Sequence, residues 1–300
     1  MMRSVGVAIG LGLLMAAGGL WTDSRTAWGQ DASWRHSAEG ARPAAPDQPV
    51  QPQLPTIQRR PPAPPFVLTP PEQAQLDWVL RTWEQRCDKI KMFECDFTRF
   101  DYDAVFGDGS KPKYTDQGSL KYAAPDKGLF RVEKPRDEKW ICNGKAVYEY
   151  RYQLKELIEH RLPPELQGKD ISNGPLPFLF GAKAEQLKQR YFLRLITPQE
   201  AAQEQIWLEA YPRFQGQAAD FSKAELILTT KDFLPYALKI YLPNGKNRTV
   251  YAFQNIVLNN PLRILSNPFQ ASKPSWDWKL TVEDASPPAQ ASRAAPPGRK

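Results

Sequence analysis

The sequence predicts an α+β fold in which one N-terminal helix precedes an antiparallel meander of about ten strands. Three observations carry that expectation. A helix-period apolar stripe runs from Leu76 to Cys87, the period changes to alternation near Ile90, and short alternating runs parted by turn residues then follow one another to about residue 258.

Thr69, Pro70, Pro71 and Glu72 open the helix with a hydroxyl cap, proline in the first turn and an early acid. Leu76, Val79, Leu80, Trp83 and Cys87 fall at three- and four-residue spacing, so one face of this helix is buried. FECDFTRF follows at once and places Phe93, Cys95 and Phe97 on one side of a strand. The remaining strand candidates are TDQGSLKY, GLFRVE, KWIC, AVYEYRY, ELIEHRL, YFLRLI, QIWLEAY, AELILTT, YALKIYL and TVYAFQNIVL. Turns are signalled at Gly107 to Gly109, at Pro125 and Asp126, and at Pro243 to Gly245. Asn143 and Gly144, set between KWIC and AVYEY, predict a tight type I′ hairpin. With no helix between most strands, the sheet is antiparallel rather than parallel.

Residues 172–190, SNGPLPFLFGAKAEQLKQR, interrupt the strands. A proline-opened stretch carrying Leu176, Phe178, Leu179 and Phe180 is apolar on nearly every side and is expected to be buried, and a polar helical run follows it.

The two ends differ from this body. Arg3, the apolar run SVGVAIGLGLLMAAGGLW and the small-x-small pattern Ala27, Trp28, Gly29 read as a secretory signal peptide over residues 1–29. The run is glycine-rich and marginal for a bilayer span, which takes ~20 strongly apolar residues. No cysteine stands there to take a lipid. Residues 30–70 are crowded with Pro, Ala and Gln, too poor in core-forming side chains to offset the entropy of folding, and are expected to form a solvated tether. Residues 284–300 repeat that composition, which leaves 71–283 as one domain around one core.

The net charge of +7 overstates the basicity of the domain. Between residues 72 and 270 stand 29 Lys and Arg against 26 Asp and Glu, a net of +3, and the signs interleave as in KPRDEKW. Nucleic acid requires a clustered basic stripe and is not expected as a partner. The sequence holds only two histidines, His36 in the tether and His160 on a strand expected to be half-exposed, and no nucleophile-elbow motif, so catalysis is not expected. Zinc spacing is absent, DYDAVFGDG lacks the calcium-loop residues, and no cofactor is expected. Cys87, Cys95 and Cys142 leave two alternatives open: a bridge joining Cys87 to Cys95, or three buried thiols. Asn247, Arg248 and Thr249 form a glycosylation triplet that reads as a hairpin turn with a basic flank.

The order of these parts resembles the LolA/LolB family of outer-membrane lipoprotein carriers and related RseB-type sensor domains. The resemblance rests on the helix running into FECDFTRF, on GSLKYAAPDKGLFRVE with Gly118, Leu120, Pro125, Phe130 and Arg131, on WICNGKAVYEYRYQLKEL with its Asn143, Gly144, Lys145 turn, on GPLPFLFG, and on YALKIYLPNGKNRTVYAFQNI. It implies a bent, incomplete antiparallel β-barrel with the N-terminal helix and short lid helices on its concave face. Where the carriers have arginine before the proline, this chain has Ala123 and Ala124. KWICNGKAVYEY, LPPELQGKDI and GPLPFLFGAKA also resemble a group of secreted planctomycete-type proteins to which no activity is attached.

A bent sheet with an uncovered concave face needs a filler for its apolar side chains. The expectation is an exported, monomeric, non-catalytic protein that holds lipid or the acyl chains of a lipidated peptide in a hydrophobic trough. Leu176, Phe178, Leu179 and Phe180 would form the lid, and Phe97, Trp140, Tyr148 and Trp207 the walls. The alternative is an envelope scaffold or sensor whose trough is permanently plugged and whose partner is a protein.

Overall fold

The computed structural model describes residues 63–283 apart from 106, 108, 134, 169–182, 215–220, 261 and 263–266. Helix α1 spans Pro70–Cys87 and buries Leu76, Val79, Leu80, Trp83 and Cys87, the predicted stripe. Burial of an aliphatic side chain of this size contributes roughly 2 kcal/mol. At its start the Thr69 backbone N–H donates to Glu72 Oε2 at 2.7 Å. That bond and a second from the Thr69 hydroxyl hold the Glu72 carboxyl below its ordinary range.

Among the described residues twelve strands form one sheet, in the order β12-β6-β5-β4-β3-β2-β1-β11-β10-β9-β8-β7. They are β1 Met92–Tyr102, β2 Tyr114–Ala123, β3 Lys127–Val132, β4 Glu138–Asn143, β5 Ala146–Arg151, β6 Glu156–Arg161, β7 Tyr191–Leu195, β8 Gln205–Pro212, β9 Lys223–Thr229, β10 Pro235–Tyr241, β11 Arg248–Leu258 and β12 Lys279–Glu283. A second helix, α2, covers Ala184–Arg190, the polar run after the predicted lid. The sheet is open: β7 and β12 are its two edges, so the barrel is incomplete. The predicted α+β class and bent, unclosed antiparallel sheet are what the chain adopts.

Of these strands only β12 lacked a sequence signal, so the count of twelve exceeds the expected ten or so. Strand β12 was illegible: KLTVE is short and half-exposed, and it pairs parallel to β6, with Lys279 opposite Glu156 and Glu283 opposite His160. A parallel neighbour needs a long crossover, here residues 259–278. Phe269, Ala271 and Trp278 from that strap pack on Leu129, Ile141, Tyr150 and Leu157. The Tyr150 hydroxyl fastens it by donating to the Ser272 carbonyl at 3.1 Å.

The hairpin at Asn143 and Gly144 forms, with Cys142 opposite Val147, but its turn is not type I′. Type I′ needs positive φ at both central residues. Here Gly144 alone has it, at 89°. Asn143 instead stays on β4, and its Oδ1 accepts from the backbone N–H groups of Lys145 and Ala146, both at 2.9 Å. A Cβ at 144 would also meet Asp126 Oδ2 at 2.0 Å, so any side chain there would have to displace the Asp126 carboxylate.

The main core lies between the helices and one face of β1, β2 and β7 to β11. Cys87, Cys95 and Cys142 are all free and buried, the second of the two alternatives. Among the described residues no helix is long and apolar enough to cross a membrane.

Candidate functional site: an aromatic trough beneath the helix

Direct cross-strand pairing fixes which side chains share the helix-bearing face. Phe97 on β1 stands opposite Gly118 on β2 and Phe253 on β11, and Cys95 stands opposite Leu120. The register carries this face on to Phe130 opposite Leu120, then to Trp140 opposite Phe130, then to Glu149 opposite Trp140. Antiparallel partners project to the same side, so these residues form one continuous floor.

Aromatic rings pave its centre. Phe97 stacks on Phe130 with centroids 5.1 Å apart and meets Tyr251 edge-on at 5.5 Å. Tyr251 stacks in turn on Phe253 at 6.5 Å. Burial pushes the titration of the Tyr251 hydroxyl upward. Beyond Phe130, Trp140, Cys142 and Val147 form a smaller buried cluster with Leu162.

Of the expected walls, Phe97 and Trp140 lie on this floor. Tyr148 and Trp207 do not. Tyr148 pairs with Ile141 and packs in the strap cluster, one residue out of phase with Glu149. Trp207 pairs with Ile227, while its neighbour Leu208 faces the helices. On the opposite face, Trp207 lies under the Lys239 ammonium, 4.5 Å from the ring centroid. It is flanked there by the charge ladder Arg194, Glu209, Lys223, Glu225 and Lys239. Aromatic type alone does not say which way a strand residue points; a one-residue shift reverses the face.

The lid candidates Leu176, Phe178, Leu179 and Phe180 lie outside the described residues. The flanks of that segment are described. At one side the Gly168 N–H donates to the Gly144 carbonyl at 3.1 Å, at the β4–β5 turn. At the other, the Ala184 N–H donates to Glu84 Oε2 at 3.2 Å, and Lys183 pairs with Glu84 and Asp88 at 3.4 and 3.3 Å.

Charged groups end the apolar floor on two sides. Next after Phe97 on this face comes Arg99, bonded through Nη2 to Asp116 at 2.9 Å and to Glu138 at 3.0 Å. Arg136 joins Asp116 and bonds Asp101 at 2.7 Å. Burial works to lower the Arg99 pKa, but the bond and charge of Glu138 outweigh it and the net shift is upward. On the far side Glu149 is 2% exposed and accepts from Arg151 Nε at 2.9 Å. His160 is buried, not half-exposed as its alternation suggested, with Glu149 at 3.4 Å and Glu283 at 3.0 Å from its two ring nitrogens. Strand β12 covers the edge that would have exposed it.

Residue type and alternation could flag Phe97 and Trp140. They missed Phe130, Tyr251 and Phe253, although each sits in a predicted strand. Gly118 was the available signal, since a bare strand position next to an aromatic face invites a ring to fill it.

The family profile described as "Outer membrane lipoprotein carrier protein LolA" matches residues 89–264. No curated protein sequence matches this chain. Among solved structures, an uncharacterized conserved protein from Thermus thermophilus is 12% identical, with 70% of this chain and 99% of that chain covered and a TM-score of 0.42. A LolA superfamily protein from Nitrosomonas europaea is 12% identical over 62% of this chain and 96% of its own, at a TM-score of 0.31. The lipoprotein LppX of Mycobacterium tuberculosis is 10% identical over 63% of this chain and 97% of its own, at 0.35. The profile match runs from the end of α1 through the whole of β11 and takes in more than half of the sequence: the chain belongs to the LolA family.

Proposed function

We propose that this protein is an exported, non-catalytic binding protein that holds the acyl chains of a lipid or lipidated peptide against the aromatic floor. The observation that carries the reading is the contiguous Phe97, Phe130, Tyr251 and Phe253 surface on the helix-bearing side of a sheet that does not close. Exposing apolar surface costs about 25 cal/mol per Å². The inner face of such a sheet must therefore be covered by helix, by loop or by ligand.

In this reading residues 174–181 are the lid, carried between the anchors at Gly144 and Glu84, with Leu176, Phe178, Leu179 and Phe180 as its apolar side. Residues 1–29 are removed on export to the periplasm or beyond, 30–70 are a tether, 71–283 fold, and 284–300 are a tail. The protein acts as a monomer, without cofactor or nucleic acid.

Packing favours a second reading, an envelope scaffold or sensor with a permanently plugged trough and a protein partner. Cys95, Leu226 and Leu228 on the sheet and Leu187 on α2 are wholly buried where helix and sheet meet.

Uptake of a fluorescent acyl-ester probe, measured together with stability in Phe178→Ala, Phe180→Ala and Phe97→Ala, separates the two. An opening lid exchanges its contacts for those of the ligand and belongs to the less stable part of a fold. The carrier reading expects the lid variants to change uptake more than melting temperature. No uptake by the wild type, with lid variants that simply unfold, would replace the carrier by the plugged scaffold. Mass spectrometry of co-purifying lipid names the ligand.

A further inference from the structure

Helix α1 turns Leu76, Val79, Leu80, Trp83 and Cys87 toward the sheet, in one cluster with the Phe97, Tyr251 and Phe253 floor. Trp83 is 1% exposed, and its indole Nε1 is fully buried with no hydrogen-bond acceptor among the described residues. A buried, unpaired N–H is costly and rare in native proteins, and each instance calls for an explanation. The half-buried Trp207 shows the ordinary solution, since its Nε1 donates to Gln205 Oε1 at 2.8 Å.

We infer that the Trp83 indole N–H is the polar handle of the trough, a donor for the ester carbonyl of an acyl ligand; the inference rests on the carrier reading above. Three features select this chemistry. The donor is neutral and single, it stands on the apolar stripe of α1, and the cations of the trough, Arg99, Arg136 and Arg151, are each already paired with carboxylates. A carboxylate brought to Trp83 would be buried beside one N–H and no counter-charge, which is strongly unfavourable. An ester carbonyl needs one donor and brings no charge. A bare hydrocarbon would leave the indole as it is. Trp83 is therefore a specificity determinant that separates acyl esters from alkanes and free acids.

The test uses the full chain with three probes of equal length and the same terminal fluorophore: an acyl methyl ester, the matching alkane and the free fatty acid. Trp83→Phe keeps one aromatic ring and removes the donor. Ester affinity should fall roughly tenfold more than alkane affinity, while the melting temperature falls because the smaller ring leaves a cavity in a wholly buried site. Trp78→Phe, on the exposed side of α1, should alter none of these. Independently, the Trp83 indole N–H resonance of ¹⁵N-labelled wild type should move downfield with ester and stay in place with alkane; this arm decides the matter even if Trp83→Phe does not fold. Equal loss for ester and alkane, no loss for either, or an unmoved resonance with ester bound overturns the role of Trp83 and leaves the carrier reading standing. A wild type that binds neither ester nor alkane overturns both.

Discussion

Phe97 and Gly118 stand directly opposite each other across the β1–β2 ladder, and the phenyl ring occupies the space that a side chain at 118 would need. A Cβ there would lie 2.4 Å from Phe97 Cζ and 2.2 Å from the Arg131 carbonyl oxygen. The first clash can relax by a ring rotation. The second is with backbone and cannot. Gly118→Ala should therefore destabilise the protein by about 3 kcal/mol, at the upper end for overpacking. The double variant Phe97→Ala/Gly118→Ala should recover only part of that cost, as read by urea unfolding. Complete recovery would show that the ring alone constrains the site.

The buried charges at the end of the floor should rank by burial. Asp116 has 2% of its side chain exposed and Glu138 25%, although both bond Arg99. Asp116→Ala leaves Arg99 and Arg136 short of a buried partner and should cost about 3 kcal/mol or more. Glu138→Ala should cost clearly less, since water can replace it. Thermal unfolding of both variants checks the order, and equal effects would contradict it.

Acid should loosen the sheet at two buried carboxyls, Glu149 at the far side of the trough and Glu225 on the opposite face. Burial alone would raise the Glu149 carboxyl, but hydrogen bonds from His160 and Arg151 outweigh it and hold it below its usual value of 4.5. Glu225 is likewise held down against its burial by Lys223 and Lys239. A carboxyl with a folded pKa below its unfolded one stabilises the fold above the unfolded value, and that stability is lost as pH falls through the folded pKa. Wild-type stability should thus decline below about pH 4.5. Glu149→Gln and Glu225→Gln should each flatten that decline. Parallel wild-type and variant slopes would remove these two carboxyls as its source.

The three cysteines should behave as apolar side chains. Burial pushes the Cys87 thiol up to about 12, with a lesser push from Asp88, and it raises Cys95 and Cys142 as well. Thiolate is the reactive form, so a chromogenic disulfide reagent at pH 8 should label none of them in the folded protein. All three should react after denaturation without reductant. Two missing thiols would indicate the Cys87–Cys95 bridge that the sequence also allowed.

The wall residues divide by face. Trp140→Ala should impair probe uptake along with Phe97→Ala, whereas Tyr148→Ala and Trp207→Ala should leave uptake near wild type, because their rings lie on the opposite side of the sheet. Titration of one fluorescent acyl ester against all four variants makes the comparison. Equal loss in Tyr148→Ala would mean that acyl chains bind under the strap.

Local chemistry alone determined the helix from Pro70 to Cys87 and eleven of the twelve strands, because capping residues, spacing and alternation act within a few residues of one another. Composition alone set the domain apart from its proline-rich flanks, an expectation that reaches beyond the described residues. The missing strand, β12, and with it the burial of His160, depended on a crossover of some twenty residues that no local pattern encodes. The site divided along the same line. Aromatic type was legible, but face was not: Phe97 and Trp140 share a face only through the register of β1, β2, β3 and β4, while the same alternation sends Tyr148 and Trp207 to the other side. A strand residue knows its neighbours two positions away from sequence, but which face is buried is decided by what packs on it, and that is a property of the assembled sheet.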